Sequence, residues 1–170
     1  QNMIFGEHKT DDGADVNVTS IFYGHPLADS IFGVPIEMFI TSGFSYHYSS
    51  GVQDSSTEWV LAFKGYYTFP TPWRLRLGIA EGISYADSLT YYESTELQQK
   101  GFDESKLMNY LDLSLDLNIG DVFKSRKLED LWLGYGIHHR SGMYESSSAF
   151  GDISGGTNFA NIYLQWHGEF

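Results

Sequence analysis

Strict alternation of apolar and polar residues over ten positions is the feature that most constrains the fold of this chain. Between Tyr110 and Ile119 every odd-numbered residue is Leu or Ile, and the even-numbered residues are Tyr, Asp, Ser, Asp and Asn. Successive side chains of a β-strand point to opposite sides, so this pattern predicts a strand with one apolar face and one polar face.

The same alternation recurs along the chain, and we predict an all-β fold. Trp59–Phe69, Trp73–Tyr85 and the segment counted back from Phe170 each place apolar residues on one parity. Glu81 breaks the parity of its segment, which indicates either a bulge or a local function. We predict an eight-stranded antiparallel transmembrane β-barrel formed by a single domain, 1–170, with strands near 2–8, 16–24, 34–46, 58–69, 73–86, 108–119, 131–141 and 158–170.

The polar face of the strands decides between a membrane barrel and a soluble one. It carries Asp112, Asp116, Arg74, Arg76 and Lys64, which can pair inside a small barrel while the apolar face meets hydrocarbon. The alternative is a soluble lipid-binding, lipocalin-like barrel, whose apolar face points inward. The terminal Phe of an alternating strand and the aromatic strand ends favour the membrane. We then expect periplasmic turns at 69–73 and 118–131, and external loops at 9–15, 47–57, 86–107 and 142–157.

Composition excludes several other classes of protein. The chain has 22 acidic and 10 basic residues and a net charge of −12, which argues against a nucleic-acid partner. It has no Cys, and its His, Asp and Glu residues show no metal-ligand spacing, so we expect no metal and no cofactor. No apolar run is long enough for a transmembrane helix. Because the chain starts with Gln, we expect a mature form whose leader has been removed.

Two strands carry a candidate catalytic group at their outer ends. On the seventh strand, the apolar parity of Leu133, Tyr135 and Ile137 continues to His139 and Ser141. On the eighth, the apolar parity reaches Asn158, which antiparallel pairing places beside the seventh strand. A Ser becomes nucleophilic beside a base such as His, and an Asn oxygen can orient the imidazole. The alternative is that these polar residues only meet lipid headgroups at the barrel rim, as in a non-catalytic structural or adhesion barrel.

These motifs resemble the PagL-type lipid A 3-O-deacylases, a family of small outer-membrane β-barrel hydrolases. The family's His-x-Ser pair matches His139-Arg140-Ser141, and Gly156-Thr157-Asn158 falls where the family has Gly-x-Glu. The match covers roughly residues 73–170 and is only topological before them. The resemblance implies a carboxylic ester hydrolase in the bacterial outer membrane that cuts a 3-O-linked acyl ester of lipopolysaccharide, with outer-membrane lipid around it. A homodimer is left open.

The resemblance also implies roles for individual residues. Ser141, His139 and Asn158 are the expected catalytic residues, and a backbone N–H from Gly142 or beyond is the expected oxyanion donor. Two departures from the family pattern bear on these roles. Asn158 replaces the family's acid, for which Glu145 or Asp152 could substitute, and Gly142 replaces an Asn. We also consider Arg140 and Lys106 as contacts to lipid A phosphates.

Overall fold

The computed structural model describes residues 2–10, 17–51, 53–88, 106–142 and 156–168, and these form an antiparallel β-sheet with one short helical connection. A helix, α1 (Ile119–Phe123), and a 3₁₀ turn, Arg126–Leu128, connect the sixth and seventh strands. The strands are β1 (Asn2–Thr10), β2 (Asn17–Ala28), β3 (Ile36–His47), β4 (Ser56–Thr68), β5 (Leu75–Ala86), β6 (Leu107–Asn118), β7 (Leu131–Gly142) and β8 (Gly156–His167).

Each strand pairs with its neighbours in sequence order. β1 also pairs with β8, from Asn2 opposite His167 to Thr10 opposite Phe159, which closes the sheet into a barrel. Closure matters because every strand then has a hydrogen-bonding neighbour on both sides and no edge is left open. The predicted all-β antiparallel fold is confirmed.

The barrel is apolar outside and polar inside. Large apolar side chains cover the outside, and Trp59, Phe63 and Ile162 expose 60%, 56% and 62% of their surface. Buried inward side chains include Arg76 and Asp116, both fully enclosed. A soluble lipid-binding barrel would have the reverse arrangement, with an apolar interior, so that alternative is wrong for this chain.

Among the described residues, three clusters of charged side chains lie in the interior, and the first surrounds Arg76. Its Nε donates to Asp116 Oδ2 at 2.8 Å, and its Nη2 donates to Gln165. The guanidinium lies over the Trp132 ring at 3.9 Å from the centroid. The Tyr163 hydroxyl donates to the second Asp116 oxygen. Each charged group in this cluster therefore has several partners, as burial requires.

The other two groups lie farther along the barrel axis. Lys64 Nζ donates to Asp112 Oδ1 at 2.6 Å, across the face of β5. Beyond it, Glu58 contacts His47 at 3.0 Å and Arg140 at 3.4 Å, and also faces His138. Arg140 points into the barrel. Its suggested role as a contact to lipid A phosphate is wrong, because only 1% of its surface is exposed.

The strand bounds differ from the predicted ones mainly at β2 and β8. β2 extends to Ala28, and a register shift between Pro26 and Ala28 interrupts its pairing with β3. β8 ends at His167 rather than at residue 170. β5 pairs without a register shift on both sides, and Glu81 is exposed on the outer face. A bulge therefore does not explain why Glu81, a charged residue, lies on the apolar face of β5.

The connection between β6 and β7 is helical where a plain turn was expected. Asn118 caps α1 by accepting a hydrogen bond from the Asp121 N–H at 2.9 Å, and Lys124 ends it in a left-handed conformation. Arg74 Nε donates to Asp121 Oδ2 at 2.7 Å and holds the helix against the barrel. Within the described residues no helix is long and apolar enough to cross a membrane.

We expect the interior pairs to dominate stability. Arg76→Met leaves Asp116 charged and enclosed without its ion-pair partner, so the free energy of unfolding should fall by about 3–5 kcal/mol. Arg74→Met is the matched control, because the Arg74 side chain is 43% exposed, and it should cost at most about 1 kcal/mol. Urea unfolding in detergent micelles, followed by tryptophan fluorescence, measures both. Equal losses in the two variants would contradict this account.

Candidate functional site

The candidate site lies on the outside of the barrel, at the end where β7 finishes and β8 begins. In the register between these strands, His139 is opposite Asn158 and Ser141 is opposite Gly156. Inward neighbours on the same strands, His138, Arg140 and Phe159, are buried. The alternating pleat therefore places His139, Ser141 and Asn158 outward, on the same side as the exposed Tyr135, Ile137 and Ile162.

A hydrogen bond joins His139 to Asn158. The distance from His139 Nδ1 to Asn158 Oδ1 is 2.8 Å. An amide oxygen only accepts, so with this amide orientation Nδ1 carries the proton and Nε2 keeps its lone pair. Nε2 is then the nitrogen that can take a proton from another group. Asn158 is exposed and His139 half-buried, so substrate can approach the pair from outside the barrel.

Ser141 is half-buried and lies two residues beyond His139 on the same outward side of β7. In the described part of the chain, no hydrogen bond joins its hydroxyl to the His139 ring. Nucleophile–base bonds often tighten only when substrate is bound, so this spacing is compatible with a Ser–His pair. Gly142 continues the strand opposite Met108. Glu145 and Asp152, the suggested substitute acids, lie outside the described residues.

Sequence analysis missed one polar residue of this surface, Asn109. It is the cross-strand partner of Ser141 on β6 and is half-buried. It shares its parity with Leu111, Leu113 and the other outward leucines of β6, so it is the polar exception on that face of the strand. The signal is present in the sequence, because Asn109 continues the odd-numbered parity of Leu111 and Leu113.

Apolar side chains surround the four polar ones. One row below His139, toward the α1 end, the outward residues of β6, β7 and β8 are Leu113, Ile137 and Ala160. Leu111 lies directly between His139 and Glu81 in its own row. Within the residues that the structure describes, no group of three or more His, Asp or Glu side chains could hold a metal ion. The candidate site therefore combines a base and a hydroxyl on an apolar outer wall, at the end of the barrel that lies away from α1.

The hydrogen bond makes a prediction about the tautomer of His139. In protein labelled with ¹⁵N-histidine, nitrogen NMR should find the proton of neutral His139 on Nδ1, because Asn158 Oδ1 accepts it. Asn158→Leu removes that acceptor and should shift the population toward the Nε2–H form. His138, on the same strand but inside the barrel, is the internal control and should keep its spectrum. A wild-type His139 with its proton on Nε2 would contradict the assigned bond.

Comparisons with known proteins show a likeness in structure alone. No protein-family model matches the sequence, and no curated protein matches it. The crystal structure of the outer membrane enzyme PagL superimposes on the chain with a TM-score of 0.70 and 9% sequence identity. The match covers 98% of this chain and 99% of that one, so it includes the whole barrel. The chain therefore has a PagL-like fold.

Proposed function

We propose that the chain is an outer-membrane lipid A deacylase of the PagL kind, an ester hydrolase that removes a 3-O-linked acyl chain from lipopolysaccharide. In this proposal residues 1–170 form one domain, an eight-stranded barrel that spans the bacterial outer membrane. The apolar outer wall of the described strands supports that location, since it has the polarity that hydrocarbon requires. The structural likeness to an outer membrane enzyme supports it as well.

One observation carries the hydrolase assignment. His139 and Asn158 form a 2.8 Å hydrogen bond on the outer face of the barrel, with Ser141 beside them. Polar side chains that face lipid are costly, and an ordered base–amide pair next to a hydroxyl is the arrangement needed for nucleophilic attack on an ester. His139 and Ser141 lie on β7 and Asn158 lies on β8, and the register between these two strands brings them side by side.

The proposed reaction is a two-step ester hydrolysis through an acyl-enzyme. His139 Nε2 takes the Ser141 proton as Oγ attacks the ester carbonyl carbon of the acyl chain. The tetrahedral intermediate collapses, the sugar hydroxyl leaves with the proton from His139, and the acyl chain remains on Ser141. Water, activated by the same nitrogen, then releases the fatty acid and restores Ser141. The N–H of Gly142 or beyond is one proposed donor to the oxyanion.

The position of the site fits a substrate that is itself a membrane lipid. Acyl chains of lipid A would lie along the outer wall, against residues such as Ile137 and Leu113. Their ester groups are at the headgroup boundary, level with a site near the strand ends. Lys106, exposed just before β6, stays a predicted phosphate contact. A homodimer also stays a prediction.

Asn158 acts in this proposal as the third member of the triad. Its oxygen fixes the ring and the tautomer of His139, although an amide does not neutralise the imidazolium that forms during attack. The arrangement is the one used by Cys-His-Asn proteases, in which an amide orients the base. We therefore expect an active enzyme whose rate is limited by the missing charge.

The first test changes the nucleophile. Ser141→Ala should lower the release of 3-O-linked fatty acid by at least about 10³-fold, because the attacking oxygen is lost. Mass spectrometry of lipid A, incubated with purified protein in mixed micelles, measures the product. Ser42→Ala is the matched control, since Ser42 is also exposed and outward but lies on β3. Full deacylation by the Ser141→Ala protein would refute the mechanism.

The second test changes the orienting residue. Asn158→Ala should lower kcat by roughly 10- to 100-fold, because the His139 ring loses its anchor. Asn158→Asp restores a carboxylate and should raise kcat by about tenfold or more, since it stabilises the imidazolium. Asn158 is exposed, so the gain should shrink at high salt. If Ala and Asp at this position both left kcat unchanged, Asn158 would have no part in the triad.

A further inference from the structure

We infer that Asn109 is a further catalytic residue of this site and donates a hydrogen bond to the oxyanion formed during ester cleavage. The inference rests on the proposed function, because it assigns a role in the reaction of Ser141. It concerns β6, a strand that the Ser-His-Asn motif does not include. The Asn109 amide is a side-chain donor, whereas Gly142 can offer only its backbone N–H.

The barrel register places Asn109 directly beside the nucleophile. Asn109 and Ser141 are Cα partners on adjacent antiparallel strands, and both point outward. The Cβ atoms of such a pair are about 4.5–5.5 Å apart. At this separation the Asn109 side-chain amide is within reach of the space beside Ser141 Oγ, where the carbonyl oxygen would lie once Oγ bonds to the ester carbon. Donors in this position stabilise charge as it develops.

The other residues of the same cross-strand row leave this role to Asn109. The row runs from Ile83 on β5 through Asn109 and Ser141 to Gly156 on β8. Ile83 is apolar and 42% exposed, and Gly156 has no side chain. In this row Asn109 is therefore the side chain next to Ser141 that can donate a hydrogen bond. His139 is one row away and is already bonded to Asn158.

The polarity of the wall gives a second, independent argument. The other outward residues of β6, from Leu107 to Leu117, are leucines. An amide that faces hydrocarbon without a partner is costly, whereas an amide beside a polar reacting group has one. The polar exception on β6 thus coincides with the strand position that faces Ser141, although the two residues are 32 positions apart in the chain.

A hydrogen bond from Asn109 fits the movement of electrons when Ser141 attacks the ester. As Ser141 Oγ bonds to the carbonyl carbon, the π electron pair moves to the carbonyl oxygen, and His139 holds the serine proton. Asn109 Nδ2–H donates to that oxygen without transferring its proton. When the pair returns and the C–O bond to the sugar breaks, the hydrogen bond weakens again. The same donor serves the second intermediate, which forms when water attacks the acyl-enzyme.

Kinetics of three variants test the inference. Asn109→Ala should lower kcat by about 10²- to 10³-fold with little change in KM, since the donor acts mainly in the transition state. Asn109→Asp, of similar shape but with a negative charge, should be at least as impaired. Leu107→Ala is the control, because Leu107 lies two residues away on the same outward face of β6. It should keep the wild-type kcat.

An inhibitor separates transition-state stabilisation from a general effect on the site. A long-chain alkyl trifluoromethyl ketone forms a reversible tetrahedral oxyanion on an active serine. Its inhibition constant should rise in Asn109→Ala by a factor close to the loss of kcat/KM. Binding of the matching alkyl methyl carbinol, which forms no oxyanion, should not change. Each variant must also show the heat-modifiable gel migration of the folded barrel.

The outcomes distinguish this inference from the proposed function. If Ser141→Ala abolishes deacylation while Asn109→Ala keeps its kcat, the hydrolase stands and the role of Asn109 is refuted. If Asn109→Ala raises KM alone, Asn109 binds substrate and does not stabilise the oxyanion. If Ser141→Ala remains active, the proposed function fails and the inference fails with it.

Discussion

Charged side chains packed inside the barrel determine how the rest of this structure is arranged. Arg76 with Asp116, and Lys64 with Asp112, form ion pairs at 2.8 and 2.6 Å in an interior closed to solvent. Buried charges of this kind need partners, and the next strand or the one after it supplies them. Because the polar faces satisfy one another inside, the leucines and aromatic residues are left on the outer wall. A surface of this polarity is suited to lipid rather than to water.

The same arrangement, polar inside and apolar outside, explains how the candidate site comes to lie on the outside of the barrel. A residue that shares the parity of the apolar side chains of its strand lies on the outer wall. A polar residue at such a position is therefore exposed on the outside of the barrel. His139, Ser141 and Asn158 take this position at the end of β7 and the start of β8. Their inward neighbours, His138 and Arg140, instead join Glu58 in the interior. One strand thus serves both stability and the candidate site through alternate residues.

Period-2 alternation predicted β4 to β7 to within about two residues, and it predicted that His139, Ser141 and Asn158 point outward. Alternation predicts these strands well because one face of each is strongly apolar and the other is strongly polar. It failed at the end of β2, where Pro26 and a register shift break the ladder. It also failed for α1, whose five residues depend on the Asn118 cap and on Arg74 rather than on a periodic pattern.

Pairing across the barrel could not be predicted, since it depends on the stagger of strands and not on order along the chain. Lys64 on β4 reaches Asp112 on β6 across an intervening strand, and Tyr66 on β4 reaches Gln165 on β8. The adjacency of Asn109 and Ser141 depends on the register between the neighbouring strands β6 and β7, which alternation along each strand does not specify. The His-x-Ser spacing was visible in the sequence because its two residues share one strand.

The most direct test is whether Ser141 is an activated nucleophile on the outer wall of the barrel. The protein is reconstituted in phospholipid vesicles and treated with a long-chain alkyl fluorophosphonate, and peptide mass spectrometry then locates the adduct. The account predicts a stoichiometric adduct on Ser141, none on the outward Ser42, and loss of labelling in His139→Ala. Vesicle protein that stays unlabelled at Ser141, or labelling that persists without His139, would contradict it.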